Sequence, residues 1–79
     1  MPNQIEYRTV VDFFMMVNGE RKVARTVSLM NVIPNVVVGQ TIAFDHPQME
    51  QCLAGTVTNI QHVVFLVDRP LTYIDVEIK

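Results

Sequence analysis

Apolar and polar residues alternate along most of this chain with the period of two that a pleated strand imposes. The pattern is cleanest near the end, where Thr72, Ile74, Val76 and Ile78 interleave with Tyr73, Asp75, Glu77 and Lys79. That spacing predicts a half-buried strand with an acidic outer face. Earlier, two long apolar-rich arms, about Ile5 to Val17 and Glu20 to Val32, flank the dipeptide Asn18-Gly19. Asn-Gly between such arms is the strongest short-range signal for a β-hairpin.

The register of that hairpin follows from the pattern. A two-residue loop pairs Val17 with Glu20, sets Phe13 beside Ala24 and Phe14 beside Val23, and mixes apolar and polar groups on each face. A three-residue loop, with Gly19 in the left-handed conformation, pairs Met16 with Glu20 instead. Phe13 then faces Val23, Thr9 faces Val27 and Tyr7 faces Leu29. This choice segregates the faces better and is the expected one. It gives an inner face of Ile5, Tyr7, Val11, Phe13, Val23, Val27 and Leu29. The outer face is polar in its lower part but carries Val10, Phe14 and Met16 toward the tip.

Those three residues are an anomaly, because a strand with one face in water does not place large apolar groups on both sides. Phe13 with Phe14, and Met15 with Met16, do so next to the turn. Something must cover the second face. The candidates are a partner protein and the segment Val63 to Val67, which is itself apolar on both faces.

Further along, Pro34-Asn35 ends the second strand, since proline cannot donate to a ladder. Val36 to Gln40 lead into a third strand, about Thr41 to Phe44, with Ile42 and Phe44 on one face. Asp45-His46-Pro47 opens a loop in which Met49, Cys52 and Leu53 have the spacing of one helical turn, an irregular loop being the equal alternative. Gly55 to Val67 reads as strand, with a change of apolar phase that implies a bulge near Asn59 to His62. Asp68-Arg69-Pro70 is a turn. Five or six strands with few helix signals predict a single all-β domain over residues 1–79. A small barrel or compact sandwich is the expected form, since either hides strand edges.

Composition sharpens the anomaly. Of the 79 residues, 49% are hydrophobic and only 18% charged, against a usual charged share of about 25%. A domain of this size buries only about 60–65% of its unfolded surface. Too little polar surface is left to cover the rest, so a homo-oligomer or a partner protein is expected. The net charge of −2 argues against simple electrostatic binding of nucleic acid. Charge is nonetheless uneven. Residues 1–39 carry Arg8, Arg21, Lys22 and Arg25 against Glu6, Asp12 and Glu20. Residues 40–79 carry Arg69 and Lys79 against Asp45, Glu50, Asp68, Asp75 and Glu77. The hairpin is mildly basic and the remainder acidic.

Reactive chemistry is sparse. The single cysteine, Cys52, excludes an intramolecular disulfide and a cysteine-built zinc site, and is expected to be buried and inert beside Leu53. Asp45, His46, Glu50 and His62 lack metal-site spacing, and no phosphate loop, nucleophile elbow or dinucleotide fingerprint is present. No cofactor, metal or catalytic residue is assigned, and no enzymatic activity is expected. There is no signal-peptide pattern and no apolar run near the roughly 20 residues of a membrane helix, so a cytoplasm-like location is expected.

The expected function is therefore a protein-interaction module. Its contact site comprises Val10, Phe14 and Met16, rimmed by Arg8, Arg21, Lys22 and Arg25. Aromatic, methionine and arginine side chains are the usual makings of an interface. The acidic face of the last strand, Asp75 and Glu77, is a candidate counter-surface in a homodimer. The alternative is a single-strand nucleic-acid binder that stacks bases on Phe14 within the same basic hairpin.

Overall fold

The computed structural model describes residues 6–32, 35–45, 47, 49–63 and 70–78. Its regular structure is β1 (Arg8–Val17), β2 (Glu20–Met30), β3 (Thr41–Phe44), β4 (Leu53–Val63) and β5 (Leu71–Ile78). No helix occurs among the described residues, so none is long and apolar enough to cross a membrane. The all-β expectation holds. Ile5, Pro34, His46 and the run 64–69, which includes the suggested cover for the hairpin, lie outside the described residues.

The strands form one sheet in the order β2-β1-β5-β4-β3. β1 and β5 run parallel, and every other neighbouring pair is antiparallel. β2 and β3 are the two edges, so the sheet is open rather than a closed barrel or a two-sheet sandwich. Closure fails at the β2/β3 seam for a local reason. β3 is only four residues long, and the chain before it pairs with β4 instead. There Gly39 N donates to Val57 O at 2.7 Å and Val57 N donates to Gln40 O at 2.9 Å.

The sheet is strongly curled all the same. Phe13 of β1 and Phe44 of β3 have two strands between them, a separation of about 14 Å in a flat sheet. Their rings nevertheless meet edge to face, with centroids 5.5 Å apart. The concave side holds the core: Val11, Phe13, Val27, Leu29, Phe44, Met49, Val57, Ile74 and Val76. Burying each of these large side chains contributes about 1.5–3 kcal/mol before the entropy cost. Thr9 is the buried polar residue, and its hydroxyl donates to Val32 O at 2.6 Å, which satisfies it.

The alternation in β5 is realised as predicted, with Ile74 and Val76 in the core and Tyr73 exposed. In β4 the phase change is a bulge between Val57 and Asn59, just before the expected stretch. The extra residue lets Val57 and Ile60, three apart, pair with Val76 and Ile74 on one face. The described residues directly before β4, 49–52, contain bends rather than a helical turn. Cys52 is exposed, not buried. The reason is alternation: Leu53 begins β4 opposite Phe44 with its side chain partly buried against the core, which turns its predecessor outward.

The hairpin register differs from the expected one. The turn has two residues, pairing Val17 with Glu20, and both Asn18 (φ 52°) and Gly19 (φ 79°) are left-handed. Those dihedrals belong to the type I′ turn that Asn-Gly favours. Face segregation is restored elsewhere. Phe14 pairs with Val23 and Phe13 with Arg25, leaving Ala24 as a bulge. Below it Val11 pairs with Val27 and Thr9 with Leu29. That is two residues from the expected pairing, and a shift of two keeps every side chain on its face. Above the bulge the ladder is one residue from the expected pairing and the faces exchange: Val23 sits on the convex side, exposed rather than in the core, and Lys22 turns to the concave side opposite Met15.

Candidate protein-interaction site

Pairing between β1 and β5 ends at Phe14 opposite Glu77. The hairpin does not end there. Three more rungs, Met15↔Lys22, Met16↔Arg21 and Val17↔Glu20, carry it onward as a two-stranded arm. Among the described residues no third strand flanks these rungs. Residues on successive rungs point to opposite faces, so Met15 lies on the concave side with Lys22 and Met16 on the convex side with Arg21. Met15 is 42% exposed and Met16 50%. An isolated ribbon with large apolar groups on both faces is marginal in water by itself.

Phe14 sits at the foot of the arm and is only 6% exposed. It is covered from its own chain. The Arg21 guanidinium lies over the ring, 4.5 Å from the centroid. The same guanidinium reaches Asp75 Oδ1 at 3.1 Å and Asp12 Oδ2 at 3.7 Å. Thr26 donates to Asp12 at 2.7 Å, and Asn59 extends the network to Asp75 at 3.5 Å. A planar cation can stack on a ring while its edge faces carboxylates, and arginine alone among the cationic side chains does both.

The residues singled out from the sequence are thus only partly brought together. Met16 is at the arm as expected. Phe14 is beneath Arg21 rather than exposed. Val10 is half-buried on the convex face between Ser28 and Tyr73. Arg8 pairs with Met30 and Leu71 at the far end of β1, about 26 Å from Met16 at the rise of an extended strand. Lys22 and Arg25 pair with Met15 and Phe13, so they belong to the concave side and do not rim Phe14. Arg25 lies 3.9 Å from Glu50. Lys22 is exposed and makes no ion pair among the described residues. Asp75, offered as a counter-surface for a second copy, is already engaged by Arg21.

No family model matches the chain, and no curated protein or solved structure does. The structure also exposes Met15 and Val23, which the sequence pattern does not place on the surface. The doubled Met15-Met16 was the signal for the first, but it acquires meaning only when β5 stops short of it. Val23 could not be placed outside without knowing of the bulge at Ala24. Among the described residues no group of histidine, cysteine and carboxylate side chains is placed to hold a metal.

Proposed function

We propose that this protein is a non-enzymatic interaction module, an adaptor, accessory subunit or small inhibitor, that contacts protein partners through its projecting hairpin arm and associates with itself. The observation that carries this reading is the arm: three rungs beyond the last β1–β5 pair, with exposed methionines on both faces. Methionine is flexible and polarisable and adapts to varied apolar partners. The excess of apolar over charged residues in the composition points the same way. A reducing, cytoplasm-like compartment suits the one exposed thiol, Cys52.

The nucleic-acid alternative has less behind it. Its stacking platform, Phe14, is buried, and Arg21 is shared between two carboxylates. What remains is too little cation for a phosphate backbone.

The test is solution mass by light scattering behind gel filtration, over a wide concentration range and at two salt levels, for the native chain and for Met15→Asp/Met16→Asp. The expected result is a dimer or larger assembly that becomes monomeric in the variant with an unchanged far-UV spectrum. An assembly that survives both substitutions would exclude the arm as the contact element.

A further inference from the structure

We propose that two copies of the chain pair about a two-fold axis beside β2, each laying Met15 of its arm into a cleft on the other, with Lys22 meeting Asp45. This deepens the interaction reading above and rests on it.

The receiving site is the open seam between the sheet edges. There a cleft of about 260 Å³ is walled by Leu29 of β2, Ile42 and Phe44 of β3, and Val32 and Val36 from the connecting chain. Asp45 is its one charged wall. The carboxylate is exposed and makes no hydrogen bond or ion pair among the described residues. An apolar slot with a single acidic edge suits an unbranched apolar side chain carrying a cation beside it. The arm presents that pair: Met15 is exposed on the concave face, and its partner across the rung is Lys22, which has no ion pair among the described residues. Met16, on the other face, has as its cross-strand partner Arg21, whose charge is already balanced by Asp12 and Asp75. Chemistry therefore selects one face of the arm for this cleft.

Symmetry selects the second copy as the occupant. Arm and cleft lie on the same edge strand, with Lys22 at one end of β2 and the cleft residue Leu29 toward the other. The separation is seven residues, about 23 Å of extended chain. A two-fold axis near the middle of β2 brings each arm to the other copy's cleft at once, so both contacts form and the assembly closes. A partner of different sequence would satisfy the arm or the cleft but has no reason to satisfy both. Closure also shields the long β2 edge of the sheet.

The exposed Cys52 gives a direct reporter. It precedes Leu53, the ladder partner of the cleft residue Phe44. Benzophenone-maleimide attached there, in an equal mixture of light and ¹⁵N-labelled chains, is irradiated, digested with trypsin and read by mass spectrometry. Cross-links between light and heavy chains, joining the Cys52 peptide to the Thr9–Arg21 peptide that holds Met15, are expected. Lys22→Asp should weaken the dimer at least tenfold at low salt, and adding Asp45→Lys should restore most of it. A dimer that shows neither the mixed cross-link nor the charge-swap rescue overturns this arrangement while leaving an interaction role through the arm intact. Cross-links confined to single chains, or a monomer at every concentration, overturn it as well. In that last case a loss of self-association would also count against the wider reading.

Discussion

Arg21 lies with its guanidinium 4.5 Å from the centre of the Phe14 ring, although neither residue is the other's ladder partner. Arg21 pairs with Met16 and reaches diagonally, past the rung of Phe14 and Val23, so that its far edge meets Asp12 and Asp75. Three strands are tied by one side chain at the foot of the arm. Exposed cation–π contacts contribute about 0.5–1 kcal/mol and exposed ion pairs about 0.2–1 kcal/mol. Arg21→Ala should therefore cost about 1–2 kcal/mol, a fall in Tm of roughly 4–8 °C for each kcal/mol in a domain of this size. Arg21→Lys keeps the charge and loses the planar stack. It should recover only the salt-sensitive part in urea denaturation. A lysine variant as stable as the native protein would show that stacking on Phe14 contributes nothing.

Phe14 and Met16 are two residues apart on the same face of β1, yet the structure separates their roles. Phe14 is 6% exposed and Met16 is 50% exposed. Truncating a buried phenylalanine costs about 3–5 kcal/mol, and a carboxylate in its place adds desolvation. Against the marginal stability of so short a chain, Phe14→Asp should be largely unfolded by circular dichroism at 25 °C. Met16→Asp should fold with nearly native stability. If Phe14→Asp folds and loses only self-association, the residue belongs to the interface and the covering role of Arg21 is secondary.

These two residues also show what the sequence makes legible. The strands, the hairpin and the half-buried face of β5 follow from period-two patterning, which Ile74 and Val76 obey without interruption. The double-sided apolar tip was visible too, in Phe13-Phe14 and Met15-Met16. What covers each face was not. The cover on Phe14 comes from a charged side chain, and Asp75, which anchors that side chain, is distant in sequence. Pattern arguments assign charge to solvent and so miss a stacked arginine. The turn differs from the expected one for a related reason. Segregation of faces was asked of a continuous ladder, whereas a bulge at Ala24 allows both the favoured Asn-Gly turn and the segregated faces.

Gly55 of β4 lies close against the backbone of β5. It is buried, and a Cβ there would collide with Glu77 O and lie 2.8 Å from Val76 Cγ1. A backbone oxygen cannot move aside without disturbing the ladder. The reason for glycine here is crowding rather than a left-handed backbone. Gly55→Ala should destabilise by about 1–3 kcal/mol, the usual cost of overpacking, read as a lower denaturation midpoint with an unchanged m-value. By contrast Gly39, with open space around its α-carbon but φ of 93°, should respond to alanine through backbone strain alone, about 1–2 kcal/mol. Full tolerance of alanine at Gly55 would contradict the close approach there.

The bulge at Ala24 makes a sharper claim. Phe14 pairs with Val23 and Phe13 with Arg25, so Ala24 is the one residue of β2 without a partner in β1. Deleting it makes those two pairs consecutive in a regular ladder. Every other side chain stays on its face, and the type I′ turn at Asn18-Gly19 is untouched. The shortened chain should fold with stability within about 1 kcal/mol of native, since no core residue or turn residue is changed. Deleting Ser28 is the control. The ladder can then keep Leu29 inward only by turning Val27 outward and bringing Thr26 into its place. A buried isopropyl group is replaced by a hydroxyl, at a cost of about 2 kcal/mol or more. Denaturant midpoints of the two deletions separate the cases. If removing Ala24 is as damaging as removing Ser28, the bulge is not a spare residue but a required bend, and the local twist it adds holds the arm in place.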